Sequence, residues 1–336
     1  MVETTPPRTR RTTVLRVLAG IAALGLIGSV LAGWLVYRKL DGNIHTDTAA
    51  ERALAAQAGS RPPHVGSSEN ILLMGSDYRP ELGSARSDTV MLLHLSADGR
   101  DARVVSVPRD LMVPIPSCQE SGGGTSRPQY AQFNWSYQFG GAACTVRTFE
   151  QLTDIRVDHY VVLGFAGFAR MIDAVGGIRV DLPTAERDPN VGLDLSAGPH
   201  VLNGTNALAY VRAREYVGDG SDTNRMSRQQ AFLGLVATKL RSNGVLLNPA
   251  RLFPVLDAMT SAITADSGLN SIGKLYGLVE KLRAVPGNQV LYGTVPRRPY
   301  APDPDRDVLL QPAAGELFTA LRADSSDASA ALLKAR

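Results

Sequence analysis

The chain has 336 residues, 44% hydrophobic and 20% charged, and its 35 Lys+Arg against 32 Asp+Glu leave a formal net charge of +3. That is enough apolar material for one large domain or two small ones. The near-balanced charge, with no basic stripe interleaved with aromatics, argues against a general nucleic-acid-binding surface, and five scattered histidines, with neither Gly-x-Ser-x-Gly nor His-Glu-x-x-His, give hydrolase triads and zinc peptidases no support.

Residues 1–16 read as a cytoplasmic tail. Residues 17–37 are an uncharged apolar run long enough to cross a bilayer as a helix. Arg8, Arg10, Arg11 and Arg16 precede it against Arg38 and Lys39 after it, an excess that places the N-terminus in the cytoplasm. A cleaved signal peptide has a shorter apolar core and a small-x-small cleavage site. This run instead ends in Trp34, Tyr37 and basic residues, which predicts an uncleaved, single-pass signal anchor with the bulk of the chain outside the cell membrane. Residues 38–68 read as a short juxtamembrane helix and a linker, 69–322 as the folded extracytoplasmic domain, and the Ser/Ala-rich 323–336 as a flexible tail. No accessory domain is expected after Arg322.

Within the domain, apolar runs at 71–74, 89–95 and 103–107 predict three strands, with Ala97-Asp98-Gly99 as a hairpin turn. If they form a meander, one rim of the sheet collects Asp77 and Arg79, Arg86 and Asp88, and Arg109 and Asp110. Solvated loops explain any one of these pairs. Taken together, they put two carboxylates where a hard dication such as magnesium binds, beside arginines suited to the phosphates it bridges. Cys118 and Cys144 fit an extracytoplasmic disulfide, with free thiols as the alternative; Cys-x-x-Cys and zinc-type spacings are absent.

Beyond the glycine-rich stretch at 122–124, helices are predicted at 145–152, 165–175 (capped by Gly176-Gly177), 222–240, 249–263, 271–283 and 313–322, and strands at 159–163, 178–182 and 290–295. The alternation predicts an α/β fold, a mixed sheet covered by helices. Gly268 to Lys274 imitates a phosphate-binding loop, but Leu275 stands where the metal-binding Ser/Thr belongs.

The densest chemistry is Arg212, Arg214, Asp222, Arg225 and Gln229, all within eighteen residues. Read as extended chain, residues 210–214 put Tyr210, Arg212 and Arg214 on one face. On the following helix Asp222, Arg225 and Gln229 share a stripe that continues through Leu233, Val236 and Leu240, so the polar group faces the interior. Guanidinium groups facing inward need anionic partners. Structural ion pairs, with Ser221 or Asp222 as a helix N-cap, are one explanation; a phosphate-bearing ligand is the other.

Residues 70–79 (Asn-Ile-Leu-Leu-Met-Gly-Ser-Asp-Tyr-Arg), Arg86-Ser87-Asp88-Thr89, Ser106-Val107-Pro108-Arg109-Asp110, Tyr210-Val211-Arg212-Ala213-Arg214 and Asp222-x-x-Arg225-x-x-Arg228-Gln229 together resemble the LytR-CpsA-Psr family, over roughly residues 69–322 and in the family's order. The resemblance implies an α/β/α fold with a greasy channel for a polyprenyl tail. It implies a magnesium-dependent transferase that moves a glycopolymer phosphate from a polyprenyl-pyrophosphate carrier onto peptidoglycan, at the muramic acid 6-hydroxyl. Asp77 and Asp88 would hold magnesium; Arg86, Arg109, Arg212, Arg214, Arg225 and Gln229 would hold the pyrophosphate; Asp222 would orient these arginines. Asp110 would orient them too or assist proton transfer. The resemblance leaves the general base and the glycopolymer, whether teichoic acid, arabinogalactan or capsule, unidentified. Members of the family often carry Lys-hydrophobic-Asn where this chain has Gln132-Phe133-Asn134. A membrane protein that binds lipid-linked glycans without chemistry, and a pyrophosphatase acting on the same lipid, are the competing readings.

Overall fold

The computed structural model describes residues 8–76, 87–120, 123–218, 220, 222–242 and 249–334. In chain order they form α1 (Arg8–Gly42), β1 (His45–Thr46), α2 (Thr48–Ala55), β2 (Glu69–Ser76), β3 (Ser87–Leu95), β4 (Ala102–Val107), β5 (Met112–Ile115), β6 (Gln129–Gln132), α3 (Trp135–Thr153), β7 (His159–Gly164), α4 (Phe165–Ala174) and β8 (Ile178–Leu182). The chain continues through β9 (Glu186–Asp188), β10 (Leu193–Leu195), β11 (Gly198–Leu202), α5 (Gly204–Arg212), α6 (Asp222–Ser242), α7 (Pro249–Thr260), β12 (Ile263–Ala265), α8 (Ile272–Ala284), β13 (Val290–Thr294), β14 (Arg297–Tyr300), β15 (Asp303–Leu309), α9 (Ala313–Arg322) and α10 (Ser326–Lys334).

A seven-stranded mixed sheet, ordered β1-β12-β7-β2-β3-β4-β13, is the frame. Strands β2, β3 and β4 form an antiparallel meander, while β7 lies parallel to β2 and β13 parallel to β4. Every residue of β4 is buried, as expected of a strand covered on both faces. Strand alternation sorts the side chains. Leu72, Met74, Val90, Leu92 and Val105 pack with Phe149 of α3 and Leu317 of α9 on one face. On the other, Ile71, Met91, Leu93 and Val104 pack with Val285 and, from α8, with Leu275, Leu278 and Leu282. The sheet is therefore sandwiched between helices, as expected. A third apolar cluster, built from α4, α5, α6, α7 and the hairpin of β8 with β11, forms a helical lobe beside the sheet.

Several expectations are corrected. Residues 210–212 are the last turn of α5, not a strand: the side-chain oxygen of Asn203 caps the helix start, and the residues between favour helix over the short Tyr-Val-Arg-Ala-Arg alternation. Residue 263 lies in a short strand, β12, between β1 and β7, rather than in the helix before it. Helix α3 begins at Trp135 and kinks at Gly140–Gly141, earlier than position 145. Packed structure starts before Glu69, because β1 pairs with β12 and Ala50 and Leu54 of α2 join the main core. The C-terminal segment is a helix rather than a loose tail: Leu333 is buried, and the buried Arg103 donates to Ser326 O at 2.9 Å and Ser329 Oγ at 3.2 Å.

An 18-residue stretch within residues 15–42 of α1 has a mean hydropathy of 2.1 and no buried residue, with Leu40 near the helix's end buried, so by length and composition this helix fits a single-pass membrane anchor. Cys118 and Cys144 are disulfide-bonded, with Cα atoms 5.5 Å apart and a sequence separation of 26. The bond ties the loop after β5 to α3, and closing a loop of that size contributes about 3 to 4 kcal/mol on a chain-entropy account.

Candidate functional site

The site lies where the rim of the sheet meets the helical lobe. Register Gly75↔Thr89, Ser76↔Ser87 and Val90↔Val107 brings the end of β2, the start of β3 and the end of β4 to one edge, as the meander predicts. Pro108 ends β4, and Arg109 and Asp110 follow. Asp110 is 4% exposed, and its carboxylate accepts from Arg109 Nε at 3.3 Å and Arg214 Nη1 at 3.1 Å, with Arg306 Nη1 at 3.5 Å. One buried carboxylate thus holds guanidinium groups from three separate parts of the chain, and their summed charge exceeds its own.

The helical lobe supplies the rest. Arg212 closes α5, and its guanidinium carbon sits 5.1 Å above the ring centre of Phe165. Arg214 lies two residues on; its backbone N–H donates to Asp188 Oδ2 at 2.7 Å, and its Nε is buried with no acceptor. From α6 come Arg225, 3% exposed, and Gln229, 8% exposed, so this helix does turn its polar group inward. The apolar continuation of that stripe runs through Phe232 and Val236 rather than Leu233, which is 42% exposed. The helix is moored to the sheet by Gln230, whose Nε2 donates to Ser106 Oγ at 3.1 Å and Gly293 O at 3.3 Å.

Together Arg109, Arg212, Arg214, Arg225 and Gln229 line one pocket of about 190 Å³, joined by Thr89, Phe165, Asp188, Val191 and Val211. Four guanidinium groups converging on a small volume offer the forked, charge-assisted hydrogen bonds that suit phosphate. Asp77 and Arg86 lie outside the described residues, as do the side chains of Asp88 and Asp222. The backbone still places Asp88: the register slips between Gly75 and Ser76, so Asp88 is the extra residue of a bulge opposite the residue that precedes Asp77. Bulges re-aim side chains beside active sites. Asp88 is thus a carboxyl-bearing position at this edge, a hard oxygen donor of the kind a dication such as magnesium takes. Among the described residues no group of three His, Cys, Asp or Glu clusters for a metal.

Two residues have roles that the sequence pattern left unassigned. Arg228 is buried behind the pocket; its Nη1 donates to Tyr210 O at 3.3 Å and Ala213 O at 2.6 Å, and its Nη2 to Asn224 Oδ1 at 2.9 Å. Gln229 Nε2 donates to Val211 O at 3.0 Å. These bonds satisfy carbonyls that the end of α5 leaves open, and a cation there also complements the helix dipole. Arg228 thereby fixes the backbone that carries Arg212 and Arg214. Glu186 Oε2 lies 3.9 Å from Arg228 Nε, and burial pushes this carboxyl above the usual range, with Arg228 pulling it back. Arg306, from β15, is the second. With its carboxamide turned to suit its neighbours, Gln132 donates to Asp110 Oδ1 at 3.1 Å and accepts from Arg306 Nε at 3.0 Å and Nη2 at 3.1 Å. The Asp303-Pro304-Asp305-Arg306-Asp307 run facing Arg297-Arg298 across a Pro-containing turn was the available signal for this hairpin.

The LytR_cpsA_psr family model matches residues 36–311. The chain is 31% identical over 268 residues, 76% of its length and 59% of the relative's, to "Probable cell wall biosynthesis protein LcpB" of Corynebacterium glutamicum. It is 28% identical over 289 residues, 82% of its length and 84% of the relative's, to "Polyisoprenyl-teichoic acid--peptidoglycan teichoic acid transferase TagT" of Bacillus subtilis. The chain spans about three-fifths of the length of the corynebacterial relatives it matches. Among solved structures, "LytR-Csp2A-Psr enzyme from Actinomyces oris" superposes with a TM-score of 0.58 at 26% identity, covering 78% of this chain and 93% of that one.

Proposed function

The chain belongs to the LytR-CpsA-Psr family, and from that premise we propose that it is a glycopolymer transferase of cell-wall assembly, acting outside the membrane to which α1 anchors it. Its donor is a glycopolymer carried on polyprenyl pyrophosphate, and its acceptor is peptidoglycan at the muramic acid 6-hydroxyl. The observation that carries the reading is the pocket itself, where Arg109 from the sheet and Arg212, Arg214, Arg225 and Gln229 from the helical lobe converge.

In the reaction the acceptor oxygen bonds to the sugar-side phosphorus and the bond to polyprenyl phosphate breaks. The hydroxyl proton passes to solvent or to the departing polyprenyl phosphate, and a phosphodiester joins glycopolymer to wall. Such a transfer asks for positioning and charge neutralisation rather than a protein nucleophile. The arginines hold the phosphates, Asp110 and Arg228 hold the arginines, and Phe165, Val191 and Val211 exclude water from one wall. Magnesium held by Asp77 and Asp88 would add neutralising charge on the phosphate oxygens. The double variant Asp77→Ala/Asp88→Ala is expected to abolish magnesium-stimulated transfer. Residual transfer that keeps normal magnesium affinity and EDTA sensitivity would place the ligands elsewhere.

The test is a membrane reconstitution with labelled polyprenyl-pyrophosphoryl glycan and nascent peptidoglycan. Label is expected to become covalently attached to peptidoglycan. Release of free glycan phosphate would make the protein a pyrophosphatase instead, and retention of lipid without chemistry would make it a binding protein.

A further inference from the structure

Helix α1 runs past its apolar stretch and into the body of the domain. As a helix, the uncharged run 17–37 is about 30 Å long, the thickness of a bilayer's hydrocarbon core. The residues that follow are bonded to α7, α8 and β12. Lys39 Nζ lies 3.1 Å from Asp257 Oδ1 and 5.1 Å from the ring centre of Phe253, both in α7. Leu40 and Ile44 are buried. Asp41 Oδ1 accepts from the N–H of Ile272, the first residue of α8, at 2.9 Å. Asn43 Nδ2 donates to Asp257 Oδ1 at 3.0 Å and to Thr260 Oγ1 at 3.1 Å. His45 and Thr46 then pair with Thr264 and Ala265 in β12, and Asn270 Nδ2 donates to Thr46 Oγ1 at 3.0 Å.

These contacts have a direction. From Lys39 to Asn43, one turn along the chain, the partners move along α7 from Phe253 and Asp257 to Asp257 and Thr260, and the parallel pairing of β1 with β12 continues the same way. The two segments leave the membrane side by side, with Phe253 nearer the bilayer and Ala265 farther from it. At 1.5 Å per residue, Lys39 lies about 3 Å and Asp41 about 6 Å beyond Tyr37 along α1. Headgroups extend roughly 5 to 8 Å beyond the hydrocarbon core on each side. The parts of α7 and α8 bonded to Lys39 and Asp41 are therefore at headgroup height.

The chemistry at that height suits a lipid surface. Arg38, Lys39, Arg170 of α4 and Lys274 in the first turn of α8 are all exposed. The Asp257 carboxyl is held below its usual range by hydrogen bonds from Asn43 and Lys39 and by the charges of Lys39 and Arg170, so Arg170 belongs to the same group. Basic side chains beside aromatic ones, here Trp34, Tyr37 and Phe253, are what a membrane interface selects.

We propose that α7 and the start of α8 form a membrane-contact surface seated in the outer-leaflet headgroups, so that the domain stands on the bilayer in one orientation instead of swinging on a tether. The occupant is the bilayer because this surface is continuous with a helix that crosses it. The proposal rests on the anchor half of the functional reading and not on the transfer chemistry. It also bears on the site. The Gly164 N–H donates to Ala262 O at 3.0 Å, two residues beyond Thr260, and the next residue, Phe165, lines the arginine pocket. A seated domain keeps that wall of the pocket at a fixed, short height above the leaflet.

The experiment uses the full chain in phospholipid vesicles that hold no other protein. Cys118 and Cys144 are bonded to each other, so a single added cysteine carries a nitroxide label alone. The label is placed by Gly25→Cys within α1, by Pro254→Cys and Lys274→Cys at exposed positions of α7 and α8, and by Arg52→Cys on α2, beyond β1. Collisions with lipid-soluble oxygen and with a water-soluble nickel complex read its depth. Gly25 is expected in hydrocarbon, Pro254 and Lys274 at the phosphates and Arg52 in water, with the oxygen-to-nickel ratio several-fold higher at 254 and 274 than at 52. Labels at 254 and 274 as wet as the one at 52, with Gly25 in hydrocarbon, overturn the contact and keep the anchor. A wet label at Gly25 overturns both. Headgroup depth at Arg52 overturns the orientation. Adding Asn43→Ala and Asp257→Ala to the Pro254→Cys chain should move its label toward water, and no movement overturns the role of these bonds in seating the domain. Transfer by the unlabelled chain is a separate readout, so its absence would end the transferase reading while the depth profile still decides the contact.

Discussion

The two sides of the pocket are built by different physics. Arg109 and Asp110 leave the end of β4, a strand buried along its whole length, so their backbone is placed by apolar packing spread over many residues. Arg212 and Arg214 leave the end of α5, where Ala209 and Ala213 pack in the lobe's apolar cluster and the last carbonyls are held by Arg228 and Gln229, so their backbone is placed by small apolar contacts together with a few hydrogen bonds. Packing tolerates the loss of one contact better than a small polar clamp does. The helical lobe should therefore be the side where single substitutions reach the ligand.

The largest effect is expected at the residue that joins the two sides. Arg214 contacts Asp110 from the sheet rim and Asp188 from β9. Arg214→Ala should cost about 2 to 5 kcal/mol of lipid-pyrophosphate binding, as expected for truncating one member of a buried charge pair. Titration of the detergent-solubilised chain with labelled lipid pyrophosphate measures it. Near-normal binding by both Arg214→Ala and Arg212→Ala would remove the pocket from the phosphate path.

Next comes the clamp itself. Arg228 does not line the pocket, yet Arg228→Met strips the bonds to Tyr210 O, Ala213 O and Asn224. A loss of about 2 to 4 kcal/mol in stability is expected, because the partner carbonyls lose charged donors while buried. Lipid-pyrophosphate affinity should fall with it. On the sheet side, Val105→Ala in β4 should cost on the order of 2 kcal/mol through the cavity it leaves, with phosphate affinity kept. If both variants lose affinity in proportion to stability, the two sides do not differ in the way their construction implies.

The same contrast explains what the sequence made legible. The meander, the 178–182 strand, the inward turn of Arg225 and Gln229 and the meeting of Arg109 with the distant arginines follow from periodicity and turn chemistry, because apolar packing enforces those patterns. Residues 210–212 were misread because five residues of alternating pattern are too short to outweigh a capped helix, and the bonds that fix the helix end come from Arg228, sixteen residues beyond Arg212. Arg306 was missed for a related reason: its partners, Gln132 and Asp110, are remote in sequence, and only the docking of one hairpin on another brings them together. The bonding of α10 through Arg103 is likewise a long-range polar contact with no local signature.

The smallest effect tests whether charge on the sheet side stays separate from the ligand. His159 opens β7 with Nδ1 3.1 Å from Asp266 Oδ1 and Nε2 3.7 Å from Glu69 Oε1, and the hydrogen bond to Asp266 holds its pKa above the ordinary 6.5, against the opposing pull of burial. The folded chain therefore binds this proton more tightly than the unfolded chain does. The stabilisation is complete below about pH 6.5 and is lost as pH rises through the raised folded value. His159→Gln removes it. The variant's melting temperature should fall below the wild type's by about 2 °C near pH 6, as expected for a partly buried ion pair worth about 1 kcal/mol. The gap should close toward pH 8.5. Other titrating groups, including His94, whose pKa burial lowers, are common to both proteins and cancel in the difference. Lipid-pyrophosphate affinity should show no such pH-dependent gap, because His159 lies outside the pocket lining. Melting curves that differ equally at pH 6 and 8.5 would dismiss the charge on His159, and a matching gap in ligand affinity would show that the sheet side transmits a single polar contact to the phosphate site after all.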